Sequence, residues 1–179
     1  MTLLGTIVTR VALLAAMGVA ASCGKKSDDG GSGGDRTGTP SSGSIGEVTD
    51  SSEAGVLAFL KGGSYAAWKT KQAAPIDSVS AHGKKTRTFF NDVAANAAKA
   101  GTTPLPEGSV LVKELLDSDG TTLKGLALMA KSGEGEGGDA WLWYEGFAPD
   151  YGDSYYGLGL ETCTGCHASG KDYVRTAVP

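Results

Sequence analysis

Hydrophobic and polar positions follow two rhythms along this chain. Val56, Leu57, Phe59 and Leu60 recur at helical spacing, Asp50 and Glu53 precede them as a capping box would, and Gly62-Gly63 ends the run. Residues 65–71 predict a further turn or two. Over residues 86–91 the period becomes two, with Arg87, Phe89 and Asn91 on one face and Thr88 and Phe90 on the other. Residues 92–100 are alanine-rich and helical, ended by Gly101. Residues 109–116 and 123–131 predict two strands, joined through the turn Asp117-Ser118-Asp119-Gly120. That turn mimics the start of a calcium loop, but the twelfth position holds Leu128 where a bidentate Glu is needed. A Gly/Glu turn over 133–138 leads into a third, aromatic strand over 140–147. A Gly/Tyr-rich loop and a short helix over 163–171 complete the pattern. The expected class is α+β: an antiparallel β-sheet with flanking helices.

The N-terminus has a different character. Arg10 precedes an apolar stretch over residues 11–20, and Ala21-Ser22-Cys23 ends it. Residues 1–22 therefore read as a secretory signal peptide with small residues at its cleavage site. A cysteine at that point resembles a bacterial lipobox and makes Cys23 the candidate lipidation site, with Ala20 where such boxes usually have Leu. A plain cleaved signal with an incidental cysteine is the alternative. The stretch is shorter than the ~20 residues that span a bilayer. Residues 23–52 are rich in Gly, Ser and Thr and predict a flexible linker, leaving residues 53–179 as the folded domain. Gly24 stands where lipoproteins kept at an inner membrane often have Asp. The expected location is therefore the periplasm, with a lipid anchor in the outer membrane.

Composition narrows the function. The chain carries 16 Lys+Arg and 20 Asp+Glu, a net charge of -4, which gives no basic stripe for nucleic acid. Three cysteines cannot build a disulfide framework. Two of them belong to Cys163-Thr164-Gly165-Cys166-His167, the C-x-x-C-H attachment signal of c-type haem. Cysteines three apart on one helical turn can each bond a haem vinyl group, and the adjacent histidine is then placed as the iron's axial ligand. One covalent haem c is the expected cofactor, attached near the C-terminus. A zinc site would need four ligands, and only His82 could join from the scarce residues. A thioredoxin-like redox pair lacks the flanking βαβ pattern.

The sixth iron ligand decides what such a haem does. After the leader, His82 is the other histidine and Met129 the single methionine. Met129 lies in a predicted strand and reads as core. His82 lies in the polar loop 80–84 and reads as solvated. Five-coordinate iron with one open face follows, able to bind nitric oxide, carbon monoxide, hydroxylamine or peroxide. The alternative is an electron carrier with His82 or Met129 as sixth ligand.

Three segments carry a resemblance: Thr86-Arg87-Thr88-Phe89-Phe90-Asn91-Asp92, then Pro106-Glu107-Gly108-Ser109-Val110-Leu111-Val112-Lys113-Glu114, then the terminal C-x-x-C-H. In that order and spacing the chain resembles the cytochrome P-460 family, which includes the cytochromes c-prime-beta. The resemblance covers most of residues 55–175. It implies a mainly antiparallel sheet, a homodimer and five-coordinate haem c. It also implies either hydroxylamine oxidation, as in the P-460 enzymes, or nitric oxide and carbon monoxide binding, as in the c-prime-beta proteins.

The resemblance also assigns residues. Lys113 matches a lysine that the P-460 enzymes cross-link to the porphyrin edge. The pattern alone makes Lys113 unusual: it shares a face with Leu111 and Leu115, while Glu114 shares the other with Val112 and Leu116. Whichever face is buried carries a charge, which needs a partner or a role. An inward charge at a sheet edge is the alternative. Arg87 matches a family arginine near the distal pocket or a haem propionate, the alternative being a surface position. The distal glutamate of the hydroxylamine oxidisers aligns with Ala127 here. That departure counts against oxidation, which sheds protons and needs a base; Glu145 and Asp139 are the carboxylates that could replace it. Trp141, Trp143 and Tyr144 read as sheet packing.

Overall fold

The computed structural model of the chain describes residues 43–78 and 80–179. The predicted signal peptide, Cys23 and the predicted linker as far as residue 42 lie outside the described residues. The elements run α1 (Glu53–Gly62), β1 (Thr70–Lys71), β2 (Ile76–Asp77), β3 (Lys85–Phe90), α2 (Asp92–Lys99), β4 (Val110–Leu116), β5 (Leu123–Lys131), β6 (Trp141–Phe147), β7 (Ser154–Leu158) and α3 (Glu161–His167). The strands form one antiparallel sheet in the order β1-β3-β4-β5-β6-β7, and β2 pairs with the other end of β3. The α+β class expected from the pattern holds.

The sheet divides the interior in two. On one face, Val56 and Leu60 of α1 and the nearby Tyr65 pack against Phe89, Val112, Leu128 and Tyr144. On the other, Ala94 and Ala95 of α2 and Leu160 pack with Phe90, Leu111, Met129 and Trp143. Each large side chain buried this way contributes about 1.5–3 kcal/mol relative to exposure. With both faces covered, β4 half-buries both of its central charges. Lys113 faces the α2 side, where it contributes to a cavity wall. Glu114 turns to the α1 side and accepts from the Tyr65 hydroxyl at 3.3 Å.

Several local expectations change. Ser52 is the N-cap of α1, accepting from Gly55 N at 3.1 Å, because Asp50 is occupied by the Ser52 N–H at 2.9 Å. The linker expected to reach residue 52 ends earlier: Ile45 and Val48 are buried in the α1-side core and bridge each other. Asn91 caps α2 instead of extending β3. Part of the Gly/Tyr-rich loop is strand β7, whose residues alternate across the sheet edge. The last helix starts at Glu161 and stops at His167, before the predicted end.

Candidate functional site

The register of the sheet builds one wall of a cavity. Thr88, Lys113, Ala127, Glu145 and Tyr155 lie side by side across five strands, each paired with the next. A neighbouring row holds Leu111, Met129 and Trp143. Helix α3 covers this face. It follows Gly159, whose φ of 62° and whose closeness to Asp139 (a Cβ there would lie 3.0 Å from its Cα) leave no room for a side chain. On α3, Cys163 and Cys166 are one turn apart, and His167 is four residues beyond Cys163, so all three share a side of the helix. All three line a cavity of about 490 Å³, together with Leu111, Met129, Trp143, Lys113, Glu145 and His82.

His167 is held firmly. It is 8% exposed, its Nδ1 is 2.8 Å from the Tyr173 carbonyl, and the Trp143 ring meets it edge to face at 4.9 Å. A carbonyl can only accept, so Nδ1 carries the proton and Nε2 is left as the basic nitrogen. Burial lowers the imidazole pKa to about 4, against the Tyr173 bond, and the nearby basic groups, Lys113 foremost, lower it further. The ring is neutral at physiological pH, the form a metal ligand requires. Burial raises the Cys163 thiol to about 12, with the Glu145 charge adding to it.

The opposite wall carries the cavity's polar groups. His82 arrives on a 3-10 turn (Ser80–His82) and Gly83, at φ 81°, turns the chain away into β3. Its Nδ1 lies 2.9 Å from Glu145 Oε1, and its ring centre is 6.0 Å from that of His167. Burial holds the Lys113 ammonium below its usual range, opposed by the Glu145 carboxylate. Thr88 Oγ1, beside Lys113, is buried without a hydrogen-bond partner.

The cytochrome P460 family profile matches residues 63–176, more than half of the chain. The chain belongs to the cytochrome P460 family. No curated protein matches it. Membership of the P460 family makes it a c-type cytochrome of that kind, with haem as its cofactor. The cavity fits such a group. Its volume is that of a small-molecule or cofactor site, its walls are largely apolar, and an anchored neutral imidazole, both cysteines and an unpaired hydroxyl line it. Among the described residues no cluster of three or more His, Cys, Asp or Glu is arranged to hold a bare metal ion.

The predicted residues divide by geometry. Cys163, Cys166, His167 and Lys113 come together at this P460 cavity, and Met129 contributes to its apolar wall. Arg87 does not: it lies on the α1 side, where its guanidinium stacks 5.3 Å from the Phe89 ring centre and Nε donates to the Gln72 carbonyl. The period of two puts Arg87 on the face opposite Thr88. His82 corrects the expectation of a solvated loop residue, because its side chain is 20% exposed and engaged by Glu145. Glu145 presents a carboxylate to the cavity from the adjoining strand, directly across from Ala127. Asp139 is outside the cavity lining. Trp141 and Tyr144 are buried as sheet packing, whereas Trp143 both packs and touches His167.

Proposed function

We propose that this is a mono-haem c protein, bound through Cys163 and Cys166, with His167 as the iron's axial ligand and an open opposite face that takes nitric oxide or hydroxylamine. The observation that carries this is the His167 imidazole, neutral, tied by Nδ1 to the Tyr173 carbonyl, and lining one cavity with both cysteines. When bound, the haem supplies an iron site and a route for electrons. This chain's own residues supply the surroundings. Leu111, Met129 and Trp143 exclude water, Thr88 and Lys113 offer donors, and Glu145, held by His82, is the group able to accept protons. Hydroxylamine oxidation sheds protons as well as electrons, so a carboxylate in the cavity supports that reading despite Ala127. Nitric oxide capture needs the same open face and no base.

A second reading is favoured by the His82 ring lying 6.0 Å from His167. With His82 or Met129 as sixth ligand the protein would be an electron carrier. Export, with lipidation of Cys23 and a periplasmic, outer-membrane location, completes the proposal; it rests on the leader and on haem c being attached outside the cytoplasm. A homodimer is the assembly proposed from the family resemblance.

Maturation of the full chain in a host that attaches haem c tests this directly. The proposal expects one haem added to the protein mass, lost in Cys163→Ser/Cys166→Ser, and a high-spin spectrum that changes with nitric oxide. Loss of hydroxylamine with an added electron acceptor identifies the enzyme. A low-spin spectrum inert to nitric oxide would establish the carrier, and colourless protein would refute the proposal. Palmitate labelling that disappears in Cys23→Ala tests the anchor.

A further inference from the structure

Between the end of β5 and the turn that follows α3 lies a charged pair that takes no part in that cavity wall. Lys131, at the end of β5, has its Nζ 3.0 Å from both carboxylate oxygens of Asp172, and the two side chains are 0% and 1% exposed. Asp172 Oδ2 also accepts the Leu105 N–H at 2.8 Å, and the Lys131 Nζ sits 4.9 Å from the centre of the Trp141 ring. A buried ion pair gives little net stability, because desolvation offsets the attraction. A positional reason is therefore the one to look for.

Asp172 opens a two-residue turn. Lys171 and Val174 exchange N–H to carbonyl bonds at 3.1 and 3.0 Å, and between them Asp172 and Tyr173 have φ of 46° and 65°. Aspartate tolerates the left-handed region, but tyrosine enters it rarely, so this turn needs to be held. The ion pair holds its first residue to the sheet. Its second residue supplies the carbonyl that receives His167 Nδ1–H at 2.8 Å. The chain of contacts therefore runs from β5 through Lys131, Asp172 and the Tyr173 carbonyl to the His167 ring.

We infer that Lys131 and Asp172 are positioning residues for His167, clamping the turn so that the Tyr173 carbonyl fixes the ring's tautomer, direction and basicity. This rests on His167 being the iron ligand. A hydrogen bond to the far nitrogen makes a ligating imidazole more basic, and a more basic ligand favours oxidised iron. Loosening the clamp weakens that bond and raises the reduction potential.

The test is the reduction potential of the haem-loaded full chain in Asp172→Asn, Lys131→Met and the double variant. A purely electrostatic influence predicts shifts of opposite sign for the two single variants, and cancellation in the double, which is neutral overall. The clamp predicts an upward shift in all three, with Lys131→Arg unchanged from the parent. A downward shift in Lys131→Met, or an unmoved potential in the double variant, overturns the inference. Should Lys131→Met fail to fold around its unpaired carboxylate, the double variant leaves no buried charge unpaired and decides the matter alone. A colourless parent protein refutes the haem reading, whereas a coloured parent with unmoved variants refutes only the clamp.

Discussion

Replacing Asn91 by alanine removes a side chain that joins three segments at once. Asn91 is fully buried. Its Oδ1 accepts from Ala94 N at 2.9 Å, capping α2, and from Val110 N at 3.0 Å at the start of β4. Its Nδ2 donates to the Gly108 carbonyl at 2.8 Å and to Glu47 at 2.7 Å. Loss of the cap costs about 1 kcal/mol. Leaving the Val110 N–H buried and unpaired costs about 1–3 kcal/mol more. We expect Asn91→Ala to lose about 3 kcal/mol, read as a lower urea midpoint with an unchanged slope by far-ultraviolet circular dichroism. In a domain of this size that is a fall in Tm of roughly 10 °C. Asn91→Asp keeps both acceptor bonds but loses both donors and sets a buried carboxylate against Glu47 and the Gly108 carbonyl, so at neutral pH it should lose at least as much as the alanine variant. A loss below about 1 kcal/mol for the alanine variant would mean that the orphaned amide finds another partner, and the accounting would fail. The consequence reaches the cavity, because this junction fixes the β3–β4 register that sets Thr88 beside Lys113.

Three further outcomes follow from the same geometry. Burial raises the Glu114 carboxyl pKa, so its charged form is the one the fold disfavours; Glu114→Gln, which can still accept from Tyr65, should stabilise the protein at pH 7 and do nothing near pH 4, where the parent is itself protonated. Equal effects at both pH values in denaturant titrations would contradict this. His167→Gly with haem attached should lose the parent absorbance spectrum and regain it with added imidazole; a spectrum untouched by the substitution would remove His167 from the iron. Glu145→Gln should slow hydroxylamine oxidation by on the order of 100-fold, the scale of a general base, while nitric oxide affinity changes little; equal losses in both assays would make Glu145 structural.

The sequence alone determined what depends on neighbours along the chain. Apolar runs over residues 109–116 and 123–131, joined through Asp117-Ser118-Asp119-Gly120, specified β4 and β5, and residue parity then assigned their side chains to the two faces. Cys163, Cys166 and His167 were legible because one helical turn brings them together wherever the helix sits. Lys113 stood out as a charge on a strand with no polar face. The tertiary structure decided what depends on distant partners. His82 and Glu145 meet across 63 positions of sequence, and Lys131 and Asp172 across 41; no local pattern encodes either meeting. Arg87 and Thr88 were assigned opposite faces by parity, but which face would look onto the cavity depended on where α3 docks. Short β1 and β2 carry too few residues to show a period, and β7 hides among glycines, so each exists because β3 or β6 offers it a hydrogen-bonding edge. Local chemistry sets the parts, and the closing of the sheet under α3 sets which of them share a cavity.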